Sequence, residues 1–274
     1  NRADEKSRSV FVCYTGRMHI SSLITPLFFT LALNVVLFLV AFKYKTDKLT
    51  DGAYALSFAA ISLFALFSGP LSVSRIVVSL LSVIWVARLG GFLVYRIRKT
   101  GKDKRFDAWR DKFWLLGRFW VLQGVTAWVV MLPSLFALSK EGLELGAGSY
   151  VAAGFWAAAL LIEAVADMQK YRFNQDPENK GKWIEEGLWS WSRHPNYFGE
   201  ICVWASVYLV AFPALSTLEA SIGLISPLFI ASILLFATGI PILEKTADER
   251  WGKDAKYRAY KKRTSVLIPL PPRN

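Results

Sequence analysis

The sequence predicts an all-α polytopic membrane protein with about seven transmembrane helices. Of its 274 residues 54% are hydrophobic, and the chain contains 11 Trp and 19 Phe. Its mean hydropathy of +0.33 is higher than a soluble chain of this length usually has. No strand-like alternation of apolar and polar residues occurs, whereas seven mostly apolar stretches approach the roughly 20 residues that a spanning helix needs.

These seven stretches are the candidate spans. They lie near residues 20–42, 53–69, 71–95, 113–138, 149–167, 200–217 and 221–243. Gly69-Pro70 predicts a tight turn between the second and the third span. Pro227 and Pro241 bracket the seventh span and predict kinks in it. We therefore expect a polar arm, residues 1–19, followed by a single transmembrane domain, residues 20–274.

The basic residues collect on one side of the predicted bundle. With seven spans, one side holds what we call the basic face, formed by the loops near 43–52, 96–112 and 168–199 and the tail from residue 244. The opposite loops, near 69–71, 139–148 and 214–220, hold one Lys and three Glu. This asymmetry follows the positive-inside rule. The net charge of +12 therefore indicates contact with membrane lipids rather than with nucleic acid.

Metal, disulfide and Rossmann-type chemistry are not indicated. The chain has two Cys and two His, which are too few for a disulfide framework or a His-rich metal site. It contains no Gly-x-Gly-x-x-Gly, P-loop or Gly-x-Ser-x-Gly motif. Any nucleotide must therefore be held by helix ends, loops and arginines.

The strongest functional signal is the run Arg193-His194-Pro195-Asn196-Tyr197-Phe198-Gly199-Glu200. Pro195 suits the first turn of a helix, where its missing N–H costs nothing. Asn196, Glu200 and Trp204 then share one helix face. Glu200 lies near the membrane boundary, where an ionised carboxylate needs a partner. The run predicts either a ligand-binding helix start or a capped helix whose acid binds a basic loop.

Charged residues inside two other spans need partners as well. Glu163 and Asp167 are four residues apart on an apolar helix and require partners, which could be Arg193, Arg88 or the hydroxyl and amide groups of a ligand. Arg88, in Trp85-Val86-Ala87-Arg88-Leu89-Gly90-Gly91, follows an apolar run and can bind a phosphate bidentately. Structural ion pairs remain the alternative for all three residues.

The tail mixes basic and aromatic residues. It contains Glu244, Arg250, Trp251, Tyr257 and Tyr260 before the run Leu267-Ile268-Pro269. Such a mixture can clamp a planar anionic ligand, or it can form an amphipathic segment at the membrane interface.

These motifs resemble the steroid 5-alpha-reductase-like membrane family, and more narrowly its DUF1295 branch. The resemblance covers roughly residues 50–270, with its specific signature in residues 163–270, including Gly187-Leu188-Trp189. It implies a seven-span bundle that binds NADPH from the cytosolic-type face. It also implies reduction of a carbon–carbon double bond conjugated to a ketone in a hydrophobic, lipid-like substrate.

The resemblance also implies roles for individual residues. Asn196 and Glu200 would contact the nicotinamide end of the cofactor with Glu163 and Asp167 nearby, and Arg88 would meet a phosphate. The full set of expected cofactor-binding residues is Arg88, Glu163, Asp167, Arg193, His194, Asn196, Glu200, Arg250 and Tyr257.

A hydrogen-bond donor must stabilise the enolate oxygen that forms when hydride reaches the β-carbon. The candidate catalytic donors are Tyr197, Tyr95 and Trp85. Steroid reductases hold the substrate ketone with a Glu and a Tyr on early spans. Here Trp85 falls at the Tyr position, and the second span has no Glu, Asp51 being the nearest acid. This departure argues against a steroid as the substrate.

Two other functions fit the same residues. The Arg-His-Pro-aromatic run and the tail also resemble isoprenylcysteine-type membrane methyltransferases, which bind S-adenosylmethionine, although the Asn196–Glu200 spacing favours the reductase family. A member without the substrate-holding Glu and Tyr could instead be a non-catalytic subunit that binds partner proteins in a larger membrane complex and no cofactor. The membrane itself, that of an organelle (mitochondrion or plastid) or of the endoplasmic reticulum, stays open.

Overall fold

The computed structural model describes residues 20–46, 48–100 and 111–272, with the side chains of residues 48, 51 and 93–100 outside the description. Within these ranges the chain forms helices and no strand, apart from one isolated bridge between Ser192 and Ser265. The predicted all-α class is therefore confirmed. The helices are α1 (Ser21–Lys43), α2 (Lys48–Phe67), α3 (Val73–Thr100), α4 (Phe113–Leu138), α5 (Ala147–Gln175), α6 (Pro195–Ala211), α7 (Thr217–Gly223), α8 (Ile225–Ser232), α9 (Ile240–Trp251) and α10 (Ala255–Arg263).

Six helical segments in the described part of the chain are long and apolar enough to cross a membrane, and Gly52–Phe67 of α2 is a shorter apolar helix. Together they match the predicted count of about seven spans. Three helices are longer than predicted, and one of them, α3, continues to Thr100 rather than ending near residue 95. α2 begins at Lys48 rather than near residue 53, and α5 continues to Gln175 rather than ending near residue 167. No Gly or Pro stops α5 before Pro177, so the helix carries on beyond the apolar run.

α4 forms the centre of the bundle and α1 its periphery. In its most apolar segment, α4 has 72% of its residues buried, whereas α1 has 22%. The core is centred on Phe58, Trp85 and Trp204, whose rings contact one another at centroid distances of 4.8 to 5.2 Å. Trp85 lies one turn before Arg88 and Trp204 one turn after Glu200. This aromatic contact therefore holds α3 against α6 next to both charged side chains.

The seventh predicted span, residues 221–243, is not one continuous helix, which corrects that prediction. α7 and α8 meet at Leu224, a π-helical segment covers Ile233–Ala237, and α9 starts anew at Ile240. Pro241 occupies the first turn of α9, so the expected interruption near this proline is present. The break lets α9 leave the bundle and carry Glu244 to the basic face.

Two buried cations join the loops on the side opposite the basic face. The Arg75 guanidinium donates to the Leu138 carbonyl oxygen at 2.5 Å and to the Ala65 carbonyl oxygen at 2.6 Å, so it caps the C-terminal ends of α4 and α2. Lys140 Nζ lies 2.6 and 2.8 Å from the carboxylate oxygens of Glu219 at the start of α7. These contacts place the three loops at one end of the bundle, as the alternation of successive spans requires.

Candidate functional site

The close packing of α5 against α6 depends on Gly199. A Cβ atom at this position would lie 2.8 Å from the backbone nitrogen of Glu163 and 2.9 Å from the Ala159 carbonyl oxygen. Because real Cβ atoms do not approach backbone so closely, only glycine fits. The close approach brings Asn196, at the start of α6, within hydrogen-bonding distance of Asp167 on α5.

A polar network lies between α3, α5 and α6, and we call Trp85, Arg88, Glu163, Asp167 and Asn196 the carboxylate cluster. Arg88 Nη1 donates to Glu163 Oε1 at 2.5 Å, and its Nη2 donates to Asp167 Oδ2 at 2.6 Å. The Asn196 amide donates to the other oxygen of Asp167 at 3.1 Å. The Trp85 indole N–H donates to the other oxygen of Glu163 at 3.2 Å. Both carboxylates are thus fully engaged, as charges inside a membrane must be.

Glu200 lies one helical turn beyond Asn196, beside the carboxylate cluster. Its carboxyl group interacts electrostatically with Asp167 and Arg88, and no side chain that the structure describes donates a hydrogen bond to it. Tyr54 of α2 approaches the same acids, since its phenol group interacts with both Glu200 and Glu163. Within the described residues, Glu200 and Tyr54 are therefore candidates to bind a ligand.

A pocket of about 230 Å³ opens on the basic face, between the end of α5, the segment before α6, α9 and α10. We call it the basic pocket. Trp183, Trp251 and Tyr257 form one wall, with ring centroids 5.3 to 6.2 Å apart. Its cations are Lys170, Lys182, Arg193 and Arg250. Within the described chain, Lys182 and Arg250 have no carboxylate at ion-pair distance.

Glu244 connects α9 to the start of α6 along the wall of the basic pocket. Its Oε1 lies 2.9 Å from His194 Nε2 and 3.2 Å from Arg193 Nε, and its Oε2 lies 3.0 Å from Lys261 Nζ. Because a carboxylate only accepts, His194 carries its proton on Nε2. Its buried Nδ1 is then an acceptor without a hydrogen-bond donor among the described residues. Burial lowers the pKa of His194, and the hydrogen bond to Glu244 opposes this only in part.

Lys170 links the carboxylate cluster to the basic pocket. Its Nζ lies 4.5 Å from the ring centroid of Trp189, and its charge interacts with Asp167 on one side and His194 on the other. Lys170 also lines the basic pocket. Lys170 therefore lies between the carboxylate cluster and the basic pocket.

The predicted site residues fall into these two adjoining groups. Those at the membrane level are Trp85, Arg88, Glu163, Asp167, Asn196 and Glu200, and those at the basic pocket are Arg193, His194, Arg250 and Tyr257. Tyr197 stacks on His194 at a centroid distance of 5.7 Å. The side chains of Tyr95 and Asp51, and the polar arm, lie outside the described residues. The ligand-binding roles of all these residues stay predictions.

Existing hydrogen bonds restrict the predicted roles of Trp85 and Arg88. The only donor of Trp85, its indole N–H, is used by Glu163, so it reaches a substrate oxygen only if that bond breaks. Both terminal nitrogens of Arg88 bind carboxylates, so a phosphate at the remaining N–H groups would meet the negative charge of Glu163 and Asp167.

Three residues of the site, Tyr54, Lys170 and Lys182, are not among those predicted from the sequence. Lys170 follows Asp167 by three residues and therefore lies on the same helix face, a signal that was lost because α5 was expected to end near residue 167. Nothing in the sequence pattern marks Tyr54 or Lys182, since their place in the site depends on how distant segments pack.

Replacing Gly199 with alanine is expected to separate α5 from α6 and to lower the free energy of unfolding by about 1–3 kcal/mol, as overpacking usually does. Thermal unfolding of the purified protein in detergent measures this loss. Gly154→Ala on α5 is the matched control, because a Cβ there has no atom within 4 Å. Equal unfolding temperatures for the two variants would contradict the close packing.

The buried His194 is expected to make the protein less stable as the pH falls from about 7.5 to about 5.5. Its folded-state pKa lies below the ordinary value of 6.5, because burial, Lys170 and Arg193 oppose protonation more than Glu244 favours it. Below that ordinary value the unfolded chain takes up a proton that the folded chain does not, so stability is lost. In His194→Gln the acid-induced drop in unfolding temperature should be smaller, and an unchanged drop would exclude His194 as its source.

Comparison with known proteins gives one family and two relatives. A family model described as "Protein of unknown function (DUF1295)" matches residues 37–264. A 72-residue stretch is 42% identical to part of a protein of Ustilaginoidea virens named as a probable O-methyltransferase. This stretch is 26% of the present chain and 25% of that protein. An uncharacterised protein of Schizosaccharomyces pombe is 23% identical over 93% of this chain and 84% of its own length. The chain thus spans only about a quarter of the methyltransferase that it matches. No solved structure matches.

Proposed function

Because this chain belongs to the DUF1295 family, and because its site joins a basic aromatic pocket to a carboxylate cluster inside the membrane, we propose that it is an NADPH-dependent reductase of a lipid enone. The observation that carries this proposal is the set of cations in the basic pocket. The steroid 5-alpha-reductase-like resemblance supports the same reaction.

The charge of the basic pocket fits a phosphorylated dinucleotide better than S-adenosylmethionine. NADPH carries a pyrophosphate and a further phosphate, and arginine and lysine are the usual partners of such groups. S-adenosylmethionine carries one carboxylate and a positive sulfonium. Lys182 and Arg250 line the pocket and have no carboxylate at ion-pair distance within the described chain, so binding phosphate would break no ion pair. The Arg250 guanidinium lies over the Trp251 ring, 4.7 Å from its centroid. The wall of Trp183, Trp251 and Tyr257 offers rings against which an adenine can stack.

The residues at the inner end of the site suit a nicotinamide and an enone. Asp167 holds the Asn196 amide by its nitrogen, which leaves the amide oxygen to accept a bond from a carboxamide. NADPH, when bound, supplies a hydride to the β-carbon of the substrate. The phenol O–H of Tyr54, which interacts electrostatically with Glu200 and Glu163, is a further candidate donor to the substrate oxygen as negative charge develops there. Tyr197 and Tyr95 remain the other candidate donors.

The proposal is tested by measuring which cofactor raises the unfolding temperature of the purified protein. We expect NADPH to raise it and S-adenosylmethionine to leave it unchanged. Lys182→Ser/Arg250→Ser should lose most of this shift, whereas the control Lys180→Ser/Lys253→Ser, which removes two lysines that do not line the pocket, should keep it. NADPH oxidation in the presence of lipid enones then tests the reaction.

A membrane O-methyltransferase is the second candidate, because a short stretch of the chain is similar to a protein named as one. Stabilisation by S-adenosylmethionine alone would favour this function over the reductase. Stabilisation by neither cofactor would favour the non-catalytic subunit, and a partner protein that covers the basic face should then co-purify with the chain.

A further inference from the structure

A second cavity, of about 320 Å³, lies between α3 and α5 at the level of the carboxylate cluster. Its described lining is Arg88, Gly91 and Phe92 from α3 and Ala164 and Met168 from α5. Gly91 and Phe92 follow Arg88 by three and four residues, and Met168 follows Ala164 by four, so each set lies on one helix face. The volume falls at the lower end of the range for ligand pockets, roughly 300–1,000 Å³.

The walls of this cavity are apolar and continue into the lipid-facing surface. Met168 is 38% exposed, and Val165 and Leu161, one and two turns before it on α5, are 44% and 65% exposed. On α3, Ile84 one turn before Arg88 is 44% exposed. Towards the basic face, the rings of Phe92 and Tyr171 contact each other at 6.2 Å and close the gap. The cavity therefore opens towards lipid rather than towards water.

Arg88 is the only polar residue of the described lining, and it has donors to spare. Its guanidinium carries five N–H groups, of which Glu163 and Asp167 accept two in the described chain. The side chain is 15% exposed although both carboxylates hold it in place. A hydrogen-bond acceptor that reaches the inner end of the cavity can thus be bound without breaking either ion pair.

The charges around Arg88 select a neutral acceptor. Glu163, Asp167 and Glu200 are three carboxyl groups that interact with this one guanidinium. A fatty-acid carboxylate or a lipid phosphate at the same place would meet their negative charge in a medium of low dielectric constant. A ketone or ester oxygen carries no net charge and needs only a donor.

We propose that the cavity between α3 and α5 is the port through which a neutral, carbonyl-bearing lipid enters from the bilayer, and that Arg88 donates a hydrogen bond to its carbonyl oxygen. The proposal rests on the proposed reductase function for the identity of this lipid as the substrate. It assigns the hydrophobic substrate an entrance separate from the basic pocket, so that cofactor and substrate approach the carboxylate cluster from different sides.

The test uses two photoactivatable probes in the reconstituted full chain, a neutral long-chain enone and a fatty acid of similar length, each with a diazirine. We expect the enone to label peptides containing residues 88–92 and 164–168, and the fatty acid to label them weakly. Gly91→Leu should reduce enone labelling by about tenfold, since it fills the port. The helix tolerates this change because a Cβ at Gly91 meets no atom within 4 Å. Gly154→Leu, equally unobstructed on α5 and outside the cavity, should label like the parent protein.

Each outcome separates the port from the proposed function. Parent-level enone labelling in Gly91→Leu, or labelling confined to other helices, would overturn the port even if NADPH stabilises the protein. Stronger labelling by the fatty acid than by the enone would overturn the choice of a neutral lipid. If Gly91→Leu blocks labelling but NADPH never stabilises the parent protein, the port stands and the reductase function does not. Gly91→Leu should retain the NADPH-induced shift in unfolding temperature.

Discussion

Replacing Arg88 with leucine should destabilise the protein by about 3–5 kcal/mol, the usual cost of leaving buried charges without their partner. Glu163 is 3% exposed and Asp167 only partly exposed, and the guanidinium binds both. Without it, two carboxylates four residues apart on one helix face each other inside the membrane. Thermal unfolding of the purified variant measures the loss.

The same variant should also bind NADPH more weakly, because Asp167 no longer stays where Asn196 can donate to it. Arg118→Leu is the matched control, since Arg118 is an exposed arginine of α4 outside the cluster. Arg88→Lys should recover only part of both losses, because one ammonium group cannot reproduce the two parallel bonds of a guanidinium. If Arg88→Leu unfolds at the temperature of Arg118→Leu, the ion pairs carry no net stability.

Replacing Arg75 with methionine should produce a loss of similar size without affecting the cofactor. Arg75 is 3% exposed and binds the Leu138 and Ala65 carbonyl oxygens, with Ser68 Oγ a further 3.3 Å contact. These carbonyls belong to the last turns of two helices, where no intrahelical donor is available. Each one left unsatisfied costs about 1–3 kcal/mol.

Thermal unfolding with and without NADPH distinguishes the two arginines. Arg75→Met should unfold at a lower temperature but keep the NADPH-induced shift, because Arg75 lies at the end of the bundle opposite the basic pocket. Arg88→Leu should also unfold at a lower temperature, and its NADPH-induced shift should be smaller. Arg118→Met serves as the control for removal of an exposed arginine, and a parent-like unfolding temperature for Arg75→Met would show that the helix ends need no cap.

The helices were predictable because the thickness of the bilayer sets the length of the apolar run that a spanning helix needs. The need of Glu163 and Asp167 for a cation was also predictable, since acids on an apolar helix require one, and Arg88 was among the partners considered. Which oxygen binds which nitrogen was not predictable, because it depends on the approach of α5 to α6 at Gly199. Arg75 carried no signal for the same reason. It binds backbone carbonyls of two other segments, and hydropathy says nothing about which helix ends meet.

The π-helical segment Ile233–Ala237 also constrains how the chain can change in length. In a helix each residue adds about 100° of rotation and about 1.5 Å of length, and only Thr238 and Gly239 separate this segment from α9. Removing one residue from the segment would therefore displace α9, and with it the contacts of Glu244 with His194, Arg193 and Lys261, although no residue of the site had been substituted. Single-residue insertions and deletions here should therefore be far more damaging than substitutions, and length variation among relatives should collect in the connecting loops instead.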